Sequence, residues 1–298
     1  MLPVLIVCYL RPKKLEILLG QLKNSGRKVF VYIDRADVPH LELNTKVYEV
    51  AQRYIDFIDI KICWAEKNQG VGLGVPLALN WVFDFEDEVI VLEDDCLPTK
   101  DAYAFFDDQS SRITNEIVMA CGTSPWQLDR SNSHTRSLSV SSYPLIWGWS
   151  TNSTSWFNLR ALIQTRTPHL RVLKAIISNP SRIKIICFFY AAVIRVNKGT
   201  LKAWDSLVAL EMLLSGHKAI IANKSLIQNS GQDENASHFS NPNSLLSEVV
   251  SKSHTGPASS QLDLSPKSCH EVDKAIEKSI YMLKTRHIFS PIKALIGY

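Results

Sequence analysis

Up to Gly122 the chain alternates between two hydrophobic textures. Short, nearly unbroken apolar runs at residues 3–8, 28–33, 57–64, 88–92 and 117–121 read as strands. Strands without a regular polar face are covered on both sides, as in parallel sheets. Between them the apolar residues return every three or four positions. Pro12 suits the first turn of a helix whose core face is Leu15, Leu18, Leu19 and Leu22, with Gly26 as its C-terminal cap. Residues 43–54, 76–83 and 102–113 are the next helices. This alternation predicts an α/β fold with a mainly parallel central sheet flanked by helices.

After Gly122 the pattern changes. Residues 123–142 are polar and turn-rich, which predicts a long loop. Residues 143–156 (YPLIWGWSTNSTSW) hold three tryptophans, which either stack on a ligand or fill a core. Residues 159–202 are basic and predicted helical, broken near Asn179-Pro180. A helix is expected over 205–215, with Asp205 near its N-cap and Gly216 at its end, and a strand over 218–222. Residues 231–243 read as loop, 237–265 as rich in Ser, Pro and Asn, and 272–298 as a helix with an irregular tail.

A chain of 298 residues can bury a sizeable core, as one large domain or one domain with an annex. Its net charge of +4 is unevenly spread: residues 131–204 contain ten Lys or Arg and no Asp or Glu. Such asymmetry points to an anionic partner, whether phosphate groups, lipid headgroups or nucleic acid, or else to a solvated basic face balanced by acids elsewhere. The six cysteines have no C-x-x-C spacing, and Cys8, Cys63 and Cys121 lie in apolar runs. A reduced, cytosolic protein is expected. The apolar start is too short for a signal peptide, and the longest later run, 185–194, falls short of the ~20 residues of a membrane span.

The candidate chemistry concentrates in EVIVLEDDCLP, residues 88–98. A buried strand runs into Glu93, Asp94 and Asp95, whose charges would repel. The C-terminal rim of a parallel sheet is where ligands bind, and a hard cation such as Mg²⁺ or Mn²⁺ would offset the repulsion. A solvated acidic turn is the plain alternative. Asp34 ends the second strand and would share that rim, as a ligand contact or as a turn former. The loop NQGVGLG, residues 68–74, is neither a P-loop nor a dinucleotide fingerprint, but its N–H groups could meet an anion at the start of the next helix.

Taken in order, strand 1 with Arg11-Pro12, then Asp34, NQGVGLGVPLALNWVFD, VIVLEDDCLP, YPLIWGWST, AWDSL and NSGQDENASHF resemble the bacterial nucleotide-diphospho-sugar transferases of the GT-A fold. Within that fold the Glu-Asp-Asp form of the DXD-type motif resembles the N-acetylglucosaminyltransferase I-like branch. The resemblance covers roughly residues 2–240. It implies a glycosyltransferase domain over 1–240, with a nucleotide-binding half at 1–122 and an acceptor half at 123–240 that carries the basic insert 159–202. Residues 241–298 would be a Ser/Pro-rich linker and a basic C-terminal segment.

The resemblance also implies roles. Asp95 would bind Mn²⁺ or Mg²⁺, with His238 near the metal or diphosphate. Asp94 and Glu93 would face ribose and sugar, Asp34 the base, and Arg11 and Asn68 the donor pocket. Trp147, Gly148 and Trp149 would shape the sugar and acceptor side. Asp205 would be the general base, with Glu211 as the back-up. One carboxylate able to take the acceptor proton gives in-line attack and inversion. The expected partners are a nucleotide-sugar donor, UDP-linked, and a glycan or lipid-linked acceptor in surface polysaccharide or lipopolysaccharide synthesis. Nucleic acid is not expected. The expected setting is cytoplasmic, with the basic segments as candidates for peripheral contact on the inner face of the cell membrane. The rival readings are a nucleotidyltransferase and a non-catalytic carbohydrate- or nucleotide-binding protein. Two positions depart from the family: the closing segment around His238, where Phe239 replaces a hydroxyl residue, and Asn80, where an acid is common.

Overall fold

The computed structural model describes residues 1–128, 137–164, 169–230 and 258–296. β1 (Val4–Cys8) leads into α1 (Pro12–Leu22), β2 (Val29–Ile33), α2 (Leu41–Gln52), β3 (Ile60–Trp64), α3 (Val71–Val82) and β4 (Glu88–Glu93). Next come β5 (Cys96–Pro98), α4 (Lys100–Gln109), β6 (Ile117–Cys121), β7 (Leu138–Ser141) and β8 (Trp149–Asn152). The helices α5 (Ser153–Gln164), α6 (His169–Ser178), α7 (Ile183–Asn197) and α8 (Trp204–Ser215) follow. The chain then adds β9 (Lys218–Ile221), β10 (Ile227–Asn229), β11 (Leu262–Asp263), α9 (Pro266–Ser279) and α10 (Ser290–Ile296).

Among the described residues, nine strands form one sheet in the order β11-β7-β9-β6-β8-β4-β1-β2-β3. Neighbours within β4-β1-β2-β3 are parallel, as are β6 and β9. β8 runs antiparallel between β4 and β6, and β7 runs antiparallel to β9. β5 and β10 form a separate antiparallel ribbon. The architecture is a mixed α/β fold with a largely parallel central sheet flanked by helices.

The pleat sends alternate strand residues into two cores. Leu5, Phe30, Val89 and Val91 pack with Leu79 of α3, Phe189 of α7, Val208 of α8 and Ile276 of α9. Val4, Ile6, Val31 and Leu92 pack with α1, α2 and α4 on the other face. The four expected leucines of α1 are all buried there, each contributing about 2 kcal/mol. The six cysteines are free.

Three local expectations shift. α1 ends with Lys23 still in helical angles, so Gly26 (φ +68) turns the chain beyond the helix rather than capping it. α3 starts at Val71, inside the glycine loop, and carries Pro76 within it; the turn is made by Gly70 at φ +66. The segment expected as loop contributes β7, and the segment expected as irregular tail contributes α10. β7 and β8 join the sheet, and α9 buries Val272 and Ile276 in the core. Asp273 of α9 accepts hydrogen bonds from Ser141 Oγ (2.7 Å), Ser142 N (2.9 Å) and Arg182 Nη2 (3.0 Å). The break expected near Asn179-Pro180 does separate α6 from α7.

Candidate functional site

The parallel register decides which side chains meet. Val7 faces Glu93 across β1 and β4, and Cys8 faces Ile33 across β1 and β2. Two further backbone bonds extend the ladder onto β1: Asp34 N to Cys8 O (3.0 Å) and Asp94 N to Val7 O (3.1 Å). Asp34 and Asp94 therefore leave the sheet on one rim, on either side of β1. Arg11, directly before α1, reaches back over this rim. Its Nη1 donates to Asp94 Oδ1 at 2.8 Å and to Asp95 Oδ2 at 3.2 Å. The Tyr9 N–H donates to Asp94 Oδ2 at 3.3 Å.

A fourth acid comes from the other half of the chain. Asp205 lies in the first turn of α8, two residues past the N-cap Ala203 rather than at the cap itself. Trp204 beside it packs on Trp149 of β8, with ring centroids 6.1 Å apart, and this fixes the start of α8. The Asp205 charge is felt at Glu93. Burial, then repulsion from Asp95, Asp94 and Asp205, holds the Glu93 carboxyl well above the usual carboxylate range. Burial also outweighs the pull of Arg11 at Asp94, whose carboxyl is pushed up to about 6. Arg11 thus serves both Asp94 and Asp95.

Asp34 has a local occupation. Its two carboxylate oxygens accept the N–H groups of Gln69 (2.8 Å) and Gly70 (2.9 Å). The anion that meets the glycine loop at the start of α3 is Asp34 itself, which supplies acceptors to orphan helix-terminal donors. Burial nonetheless leaves its carboxyl above the ordinary value, against the pull of these bonds. Asn68, on the same loop, donates to Tyr9 Oη at 3.2 Å and so lies at the edge of the acidic rim.

The other expected residues divide. Trp149 is buried in β8. Gly148 is required by the backbone: it has φ +76, and a Cβ there would lie 2.6 Å from Ile227 of β10. Trp147 is half-buried, and its carbonyl accepts the Thr123 hydroxyl at 2.7 Å. Glu211 is not brought to the acids. It is buried in a bidentate pair with Arg171 (2.6 and 3.0 Å) and also accepts from Ser215 (2.5 Å). Asn80 accepts the Trp156 indole N–H at 3.1 Å. His238 lies outside the described residues.

Sequence reasoning missed several residues at this rim. Asn44, fully buried on α2, donates to the carbonyls of Tyr9 (2.7 Å) and Asp34 (2.9 Å) and accepts from Ala36 N (3.2 Å) and the Trp64 indole (2.8 Å). It ties the ends of β1, β2 and β3 together. Its signal was legible, a polar residue in line with the apolar face of Val47, Val50 and Ala51. Asn229 and Ser230 approach from β10: Asn229 Nδ2 lies 3.5 Å from Asp95 Oδ1, and Ser230 N donates to Asp95 O at 2.8 Å. Lys202, before α8, comes over the glycine loop, its amine 3.7 Å from where a Cβ on Gly70 would stand. Asn229 and Ser230 open the segment NSGQDENASHF and Lys202 ends the basic stretch, but sequence alone assigns them no role at this rim.

Among the described residues, no cluster of three or more His, Cys, Asp or Glu side chains forms a protein-only metal cage. Carboxylates gathered at such a rim are donors that suit a divalent cation. Asp95 is the better placed of the two acids that Arg11 touches, with 13% of its side chain exposed against 5% for Asp94. Small hard cations are commonly held by one or two carboxylates plus phosphate oxygens of a substrate, and this donor set fits that pattern. No protein-family model matches the chain, and no curated protein matches it.

Proposed function

We propose that this chain is a metal-dependent glycosyltransferase of the GT-A fold, moving a sugar from a nucleotide-diphosphate donor to an acceptor hydroxyl. The observation that carries the reading is the excess of acid at the C-terminal rim of the parallel strands, where Asp205 joins Glu93, Asp94 and Asp95 from a separate helix. Buried carboxyls raised by burial and by one another's charge in such a rim are a mark of a functional site.

In this reading Asp95 holds Mn²⁺ or Mg²⁺ together with the donor diphosphate. The bound cation supplies Lewis-acid neutralisation of the leaving group. Arg11 keeps Asp94 and Asp95 at fixed spacing for the donor. Asp94 and Glu93 face ribose and sugar, and Asn68 borders the donor pocket. Asp34 acts through the loop it fastens. Asp205 takes the acceptor proton as the hydroxyl attacks, which gives inversion. Trp147 is the member of the tryptophan segment left to border the sugar. The proposed setting is surface-glycan assembly from a UDP-linked sugar.

The test is a thermal-shift screen of nucleotide sugars with and without Mn²⁺, followed by product analysis. Release of nucleoside diphosphate, dependent on Mn²⁺, is expected. Release of pyrophosphate would make the chain a nucleotidyltransferase. Donor stabilisation with no turnover on any acceptor would make it a binding protein.

A further inference from the structure

Two short helices expose their apolar sides. On α6, Leu170, Leu173 and Ile177 are each more than half exposed, at 77, 54 and 68%. They recur at i, i+3 and i+7, a single stripe, while Val172 on the opposite side is buried in the main core. On α10, Ile292, Leu295 and Ile296 are 58, 53 and 65% exposed. The reverse side of α10 is seated, with Ala294 buried against Ala191 and Ile194 of α7. Lys198 fastens its end, donating to the carbonyls of Ala294 (2.9 Å) and Leu295 (2.7 Å). Neither helix is a frayed tail waiting to pack.

Tyr190 links the two helices. Tyr190 of α7 packs against the Ala294 cluster, and its hydroxyl meets Nδ1 of His169, the first residue of α6. The charge carried by α6, α7 and α10 themselves has one sign, and Glu211 of α8, which meets α6, is buried in its pair with Arg171. No Asp or Glu occurs in residues 131–204 or after Glu277. Lys174 on α6, Lys184 and Arg195 on α7, and Lys293 on α10 supply the cations.

We infer that the α6/α10 face is an interfacial docking surface for an anionic lipid bilayer. Apolar stripes on helices whose own charged residues are cations fit the boundary between acyl chains and acidic headgroups. A protein partner of ordinary composition would have to leave those cations unmatched at the rim. The contact is peripheral. Among the described residues no single helix is long and apolar enough to cross a membrane. The bent pair α6–α7 would be long enough in composition, but α7 commits Ile185, Ile186, Phe189 and Val193 to the protein core.

The inference is independent of the catalytic reading, because it concerns lipid and needs no donor. The full chain is sedimented with phosphatidylcholine vesicles, and with vesicles containing about 30% phosphatidylglycerol, at low and high salt. Binding to the anionic vesicles alone, weakened by salt, is expected. The double variants Leu173→Glu/Ile177→Glu and Ile292→Glu/Leu295→Glu should each weaken it by about tenfold or more. Their thermal unfolding should match that of the parent, because the substituted side chains are exposed. Equal binding to neutral vesicles, or undiminished binding by both variants, would overturn the inference. So would self-association that the same variants abolish while no vesicle binding is seen, which would make the face an interface between copies.

Discussion

The two ends of β1 and β2 treat charge in opposite ways. At their starts, Arg27 lies buried and donates twice to Asp107 (2.9 and 2.5 Å) and once to the Leu2 carbonyl (2.8 Å). The Leu2 N–H completes the set on Asp107 at 2.8 Å. One cation meets one anion, and the bonds from Arg27 and Leu2 outweigh burial, so Asp107 ends below the ordinary aspartate value. At the far ends Arg11 meets two acids, Asp94 and Asp95, and Glu93 and Asp94 end above theirs. Burial acts at both ends; at the far ends repulsion between the acids adds to it. A matched pair serves the fold alone. Acids raised by burial and mutual repulsion weaken the fold, and such groups cluster at functional sites.

The most forceful way to break that comparison is Asp95→Ala. In the proposed function this removes the protein's hold on the cation, and donor turnover should fall to background. Thermal stability without metal should be unchanged or slightly higher, since one repelling charge has gone. Turnover equal to the parent would remove the metal role, and a large loss of stability would put Asp95 in the same class as Asp107. Asp205→Asn comes next. It should lower turnover by ~10²-fold or more, the scale of a general base, while Mn²⁺-dependent donor stabilisation stays intact. Parallel loss of donor binding would instead make Asp205 part of the donor site.

The parallel half was legible because each element there answers to its own residues. The strand at 88–92 and the leucine face of α1 carry their burial pattern in plain sequence. The acids of the rim were legible for the same reason, as they terminate such strands. β7 was not. Its Ser139 and Ser141 look like loop, yet both are buried, because Ser268 and Asp273 of α9 accept or share their hydroxyls from about 130 positions away. In β8, Thr151 is buried beside Trp149 and donates to the Val118 carbonyl at 2.7 Å. The start of α3 was misplaced because the decisive contact, Asp34 with the N–H groups of Gln69 and Gly70, spans two elements. What local pattern cannot show is a polar residue satisfied by a distant one.

Asp107→Ala probes the matched end. It strands the Arg27 guanidinium in a largely buried place. The pair is partly open to water at Asp107, so the cost should be about 2 kcal/mol rather than the ~3–5 of a fully buried pair. Its pH dependence has a definite sign. The folded-state value lies below the ordinary 3.8, so the stabilisation is present above 3.8 and is lost as pH falls through the lowered value. Chemical denaturation at pH 7 should therefore show the full difference between parent and variant, and denaturation near pH 3 should show little of it. A difference constant across that range would mean that Asp107 acts by packing rather than by charge.

The smallest effect, and the one of opposite sign, is expected from Glu93→Gln. The Glu93 carboxyl is held above its ordinary 4.5, so in the acidic range the folded chain keeps a proton that the unfolded chain gives up. Stability contributed by Glu93 is greatest below 4.5 and declines as pH rises toward the raised folded-state value. Removing the charge should therefore leave unfolding unchanged near pH 4 and raise the midpoint by about 2 °C or more at pH 8, since ~1 kcal/mol moves a domain of this size by roughly that amount. Mn²⁺ with donor should narrow the gap at pH 8, because added positive charge relieves the repulsion in the parent. A variant less stable than the parent at pH 8 would show that Glu93 is already matched, and the contrast between the two ends of the sheet would fail at this residue.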